Sequence, residues 1–181
     1  MKRMLTILAL LALTAGSALA QDISGSTVTV DPTESENGVV FLCFTVTNSS
    51  LDFEWIADIT LTLPACMTIL DVPPASADPA VGSDPFNPDA PIAFTGYGTN
   101  VANWSGTDSF GFGFLTGENA GVFCVSVEVN CACDNVYPIV WDLAGDGFGG
   151  DPHVLNGTLD FSVLCSTPTE DSSWGDVKAL Y

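Results

Sequence analysis

Between its punctuating glycines and prolines the chain alternates apolar and polar residues. A period of two sends successive side chains to opposite faces of a β-strand. The cleanest run is residues 52–63, DFEWIADITLTL. Phe53, Trp55, Ala57, Ile59, Leu61 and Leu63 fall on one face; Asp52, Glu54, Asp58, Thr60 and Thr62 fall on the other. Ile56 is the one apolar exception. Residues 39–47 (VVFLCFTVT) set Val40, Leu42, Phe44 and Val46 against Phe41, Cys43, Thr45 and Thr47. Residues 121–130 (GVFCVSVEVN) set Phe123, Val125, Val127 and Val129 against Val122, Cys124, Ser126 and Glu128. One apolar and one wet face is the signature of an antiparallel sheet covered on one side.

Shorter runs predict further strands over residues 27–31, 67–72, 92–95, 109–115, 137–143 and 154–163. In residues 109–115, Phe110, Phe112 and Phe114 alternate with Gly111 and Gly113, so a ring or another backbone should pack over the glycines. Residues 73–91, rich in Pro, Asp and Ala, read as a long excursion between strands. No helix is expected before the last dozen residues, and no strand–helix–strand alternation occurs. The expected fold is all-β: a single Ig-like antiparallel β-sandwich of about 8–9 strands.

The ends carry different signals. Lys2 and Arg3, an apolar run over residues 4–13 and Ala18-Leu19-Ala20 form an export signal with an A-x-A cleavage site. The expected organisation is a signal peptide over 1–20, the sandwich over 21–165, and a polar linker with a short C-terminal tail over 166–181. The protein is therefore expected to be secreted, extracellular or at the cell surface, with no membrane insertion after signal removal. The tail places Trp174, Val177, Leu180 and Tyr181 in an acidic terminus. These four suit an assembly or sorting tag; a frayed end is the plain alternative.

Charge narrows the partners. Twenty-two Asp and Glu oppose three Lys and Arg, a formal net charge of −19. Signal cleavage would leave Lys178 as the sole basic side chain. Without a basic footprint, nucleic acid and anionic membranes are excluded. What remains is a solvated acidic surface or one that takes cations.

Six cysteines, Cys43, Cys66, Cys124, Cys131, Cys133 and Cys165, lie beyond the signal. An even number in an exported chain points to disulfides. Cys43 and Cys124 both lie opposite the main apolar row of their strands, so they meet if those strands are neighbours; the remaining connectivity is open. A metal site at Cys131-Ala132-Cys133 lacks a second C-x-x-C and a nearby His pair.

The loop after Trp141 concentrates Asp142, Asp146, Asp151 and His153 among four glycines. Calcium takes six to eight oxygens on a backbone able to wrap around it, and the three aspartates are its candidate ligands here. Their spacing is not that of an EF-hand, and the same residues also serve as turn-formers, so both readings stand. No other cofactor is required. No G-x-S-x-G elbow, paired histidine or distinctive carboxylate pair occurs, so an enzyme is not expected. Trp104, placed in a loop over residues 100–107, is the best candidate platform for a sugar ring, since Trp55 and Trp141 alternate onto core faces.

Residues Ile139-Val140-Trp141, Gly145-Asp146-Gly147, Gly149, Pro152-His153 and Gly157-Thr158 resemble the Ig-like modules of large bacterial secreted and cell-surface proteins. The segments around Cys43, Cys124 and Phe53-Glu54-Trp55 resemble the same group. The resemblance implies a β-sandwich and an extracellular location, and no reaction. The expected function is a structural or adhesive module at the cell surface or in an extracellular assembly. Its expected partners are other extracellular proteins or copies of itself, met through edge strands and the tail. A carbohydrate-binding module on the same fold, with glycans as ligands, is the alternative.

Overall fold

The computed structural model describes residues 23–50, 54–70, 92–147 and 154–165. They form ten strands: β1 (Thr27–Asp31), β2 (Glu34–Glu36), β3 (Gly38–Thr47), β4 (Ile56–Thr62), β5 (Met67–Ile69), β6 (Ala93–Thr95), β7 (Val101–Ser105), β8 (Ala120–Val129), β9 (Asn135–Gly145) and β10 (Val154–Leu164). The export signal, the excursion over 73–91 and the tail from 166 lie outside the described residues.

The strands form two packed sheets, in the orders β1-β3-β8-β5 and β2-β10-β9-β4-β7-β6. Pairing is antiparallel except for β2, which runs parallel to β10. The all-β sandwich that the period of two implies is the fold of the described chain. Its inner faces carry the predicted rows: Leu42, Phe44 and Val46 from β3; Phe123, Val125, Val127 and Val129 from β8; Ile59 and Leu61 from β4. Trp104 of β7 meets Phe123 of β8 at 5.6 Å between ring centroids and so joins the two layers.

Cys43 lies opposite Cys124 in the β3–β8 register, and the two form a disulfide with a Cα–Cα distance of 4.1 Å. A second disulfide joins Cys66 to Cys131, tying the turn before β5 to the end of β8. No Lys or Arg occurs among the described residues, so burial, backbone ladders and these two crosslinks hold the fold. Each fully buried large apolar side chain contributes roughly 1.5–3 kcal/mol.

One polar group is built into the interior. Asn48 Nδ2 donates to the carbonyls of Glu54 and Leu115, both at 3.0 Å. Its Oδ1 accepts from Ser50 N–H at 3.0 Å and the Ser26 hydroxyl at 3.4 Å. Asn48 therefore spends its whole amide capacity tying four segments together.

Three sequence expectations are corrected. The β4 register shifts between Ile56 and Asp58, where a β-bulge inverts the alternation. Ile56 and Glu54 are buried, while Trp55 and Ala57 are only half-buried. The apolar exception at Ile56 marks the bulge. Residues 109–115 form no strand: Phe110 is exposed, Phe112 half-buried and Phe114 buried, so the three rings do not share a face. Residues 101–105 do form a strand, although Asn and Ser had placed them in a loop.

Candidate functional site

The outer face of the six-stranded sheet is built by register. Thr60 of β4 lies opposite Asn103 of β7 and Asp142 of β9, and Asp142 lies opposite Asn156 of β10. These four residues make a polar row across four strands. Asp58 stands two residues from Thr60 along β4, on the same face. Asn103 Nδ2 donates to both Asp58 carboxylate oxygens, at 2.9 and 3.0 Å, and to the Thr60 hydroxyl at 2.9 Å. The Thr60 hydroxyl donates to Asp58 at 3.0 Å. The Asp58 carboxylate is thus oriented by dipoles and opposed by no described cation. The next row, Val101, Thr62, Val140 and Thr158, adds exposed apolar surface at Val101 and Val140.

The bulge adds an aromatic rim at the Asp58 end of this face. It turns Trp55 out of the core and against Phe112, with ring centroids 5.0 Å apart. Phe112 belongs to a tight excursion closed by the Thr107–Gly113 bridge. Asp108 shapes it: its carboxylate accepts Phe110 N–H at 2.8 Å and Phe112 N–H at 3.0 Å, and its own N–H donates to the Phe112 carbonyl at 2.8 Å. That is an aspartate-nucleated turn, and it overrides the alternating Phe-Gly pattern. Phe110 sits at the tip, 85% exposed. Gly113 packs against the Ile56–Ala57 backbone, where an added Cβ would lie 2.9 Å from Ala57 N. The expectation of a backbone over the glycines thus holds at Gly113, whereas Gly111 faces open space. Asp146 completes the mount, accepting Gly113 N–H at 3.1 Å and donating its own N–H to the Trp55 carbonyl at 2.8 Å.

Of the predicted calcium residues, Asp142 lies within the outer row and Asp146 braces the aromatic turn. Four positions of nearly extended chain separate them, on the order of 13 Å, whereas calcium–oxygen distances are about 2.3–2.6 Å. Asp151 and His153 lie outside the described residues, as do Trp174, Val177, Leu180 and Tyr181. The described residues contain no cluster of three His, Cys, Asp or Glu suited to a metal.

The sugar-platform assignment of Trp104 is overturned. Trp104 is 0% exposed, on the inner face of β7 and against Phe94 at 5.0 Å as well as Phe123. Its indole cannot meet a ligand at the surface without unfolding β7. The most exposed aromatic group is Phe110, on the turn that also carries Phe112 against Trp55, whereas the sequence places Phe110 and Phe112 in a strand and Trp55 on a core face. The signal was present in Asp108 two residues before an otherwise unburied Phe.

Against known proteins, no family model and no curated protein matches the chain. Solved structures similar to it include a chain from a type I cohesin–dockerin complex of Clostridium thermocellum, at 9% identity, covering 77% of this chain and 94% of that one, with a TM-score of 0.43. Another comes from the structure of the sixth cohesin of Acetivibrio cellulolyticus scaffoldin B with a Cel5 dockerin, at 15% identity, covering 77% and 99%, with a TM-score of 0.48. No described helix is long and apolar enough to cross a membrane.

Proposed function

We propose that this chain is a secreted, non-catalytic recognition module that holds a basic segment of another extracellular protein on the outer face of its six-stranded sheet. The observation that carries the reading is the pairing of an oriented carboxylate, Asp58, opposed by no described cation and beside Asp142, with a preformed aromatic rim. Asp58 and Asp142 supply acceptors on the face, and Phe110, Trp55 and Phe112 supply an anchor at its end. Arg and Lys answer both features, through charge-assisted hydrogen bonds and cation–π contact. An exposed ring on a turn fixed by three hydrogen bonds loses little entropy on binding, which is the property of an interface anchor.

The face is favoured over the edges of its own sheet. The six-stranded sheet ends in β2 and β6, three residues each, and β2 carries Glu34 and Glu36. Short edges resist strand addition, and acidic side chains such as those of β2 add to that resistance.

The test is selection of random short peptides on the immobilised protein. Enriched sequences should be rich in Arg and Lys, and their retention should fall steeply with salt. Phe110→Ala should weaken them at least tenfold, and Asp142→Asn should flatten the salt dependence. Enrichment of neutral peptides, or of basic ones indifferent to both substitutions, would sink the reading.

A further inference from the structure

The second pair of sequence-predicted disulfide cysteines with a shared geometry is Cys133 and Cys165, which the fold leaves as thiols. Cys133 precedes β9 and Cys165 follows β10. In the β9–β10 ladder Asn135 lies opposite Val163, and the same register continued by two residues sets Cys133 opposite Cys165. The chains do remain paired there. Asp134 N–H donates to the Val163 carbonyl at 2.6 Å, and Cys165 N–H donates to Asp134 Oδ1 at 3.3 Å. The two thiols are near enough that Cys133 is the main influence on the ionisation of Cys165. This is the cross-strand relation that Cys43 and Cys124 have in β3 and β8, where the disulfide is formed. Access differs. Cys43 and Cys124 are both half-buried, as is Cys133 beside Asn37 Nδ2 at 3.8 Å, but Cys165 is exposed, so this pair presents one sulfur openly to a reagent.

We propose that Cys133 and Cys165 form a third, exchangeable cross-strand disulfide that clamps the end of β10 to the β8–β9 turn. The oxidant is an external disulfide, small or protein-borne. The Cys133 thiolate attacks one sulfur of that disulfide, breaking its S–S bond and releasing one thiolate. Cys165 then gives up its proton and attacks the Cys133 sulfur, forming the clamp and releasing the second thiolate. Two protein thiols are oxidised to one disulfide, the external disulfide is reduced to two thiols, and the two protons pass to the departing sulfurs. The order follows from the site. The interaction with Cys133, with smaller contributions from burial and the Asp134 charge, pushes the Cys165 thiol up to about 11, so Cys165 is the sulfur that waits as the thiol. The clamp is independent of the recognition face, since it closes the far side of the β9–β10 hairpin from Asp146.

The experiment is native alkylation of the folded full chain after equilibration in glutathione buffers of increasing oxidised fraction, followed by mass spectrometry of a non-reduced digest. In reducing buffer, Cys133 and Cys165 alone should take label. Towards the oxidising end, label should fall to none, and a single linked peptide should appear joining Cys133 to Cys165, with Cys43–Cys124 and Cys66–Cys131 unchanged. Persistent labelling of both thiols in oxidised buffer would overturn the proposal. So would separate glutathione adducts at each, or an intermolecular crosslink in place of the internal one.

Discussion

Single residues decide more here than charge pairs do, because the described sandwich has no cation to pair with. Trp104 spans the layers, so Trp104→Ala should cost about 3–5 kcal/mol, read as a lower denaturant midpoint at unchanged slope. A milder loss would mean that the indole is less central than its contacts with Phe94 and Phe123 imply. Asn48→Ala should cost about 1–3 kcal/mol, since it removes the buried hydrogen bonds that tie Glu54, Leu115, Ser50 and Ser26 to one side chain. Cys165 offers a pH test in the reduced protein. Its folded-state pKa lies above the ordinary thiol value of 9.0, at about 11. The fold therefore favours the protonated thiol, and this contribution is intact below pH 9.0 and lost as pH rises through 11. Following thiolate absorbance on alkaline titration should show this late ionisation, and it should be absent in Cys165→Ser.

At the level of elements, alternation was legible wherever a strand faces one core and one solvent layer. β3 and β8 follow it, and their outward positions put Cys43 beside Cys124. β4 does not, because a bulge is a backbone event and changes the phase without changing the composition. Only the misplaced Ile56 betrayed it. β7 was hidden by the opposite effect: Ala102 and Trp104 alternate properly with Asn103 and Ser105, but Asn and Ser read as loop. In residues 109–115 a regular Phe-Gly alternation lost to Asp108, whose carboxylate captures two N–H groups and turns the chain. The acidic face was not legible, since Asp58, Asn103 and Asp142 come from three strands whose register the sequence does not state. The same geometry predicts that Gly113→Ala destabilises by about 1–3 kcal/mol, because the Ile56–Ala57 backbone cannot give way to a new Cβ. A thermal melt reads the effect, and an unchanged midpoint would mean that the turn is not seated on the bulge.

For the whole molecule, a formal charge of −19 acts against the compact state. Screening should therefore stabilise it: the melting temperature should rise from low to physiological salt, by about 2–8 °C for each kcal/mol of repulsion relieved. A fall with salt would require stabilising ion pairs that the described residues cannot form. The same excess of carboxylate has a use once a basic partner arrives, because it draws that partner in and the aromatic rim then fixes it. The most direct measurement is the affinity of a selected Arg-rich peptide for wild-type protein and for Phe110→Ala, with folding of both checked by melt. Phe110 is exposed, so its removal should leave stability within about 0.5 kcal/mol while affinity drops tenfold or more. Equal affinity of two equally stable proteins would contradict recognition through this face.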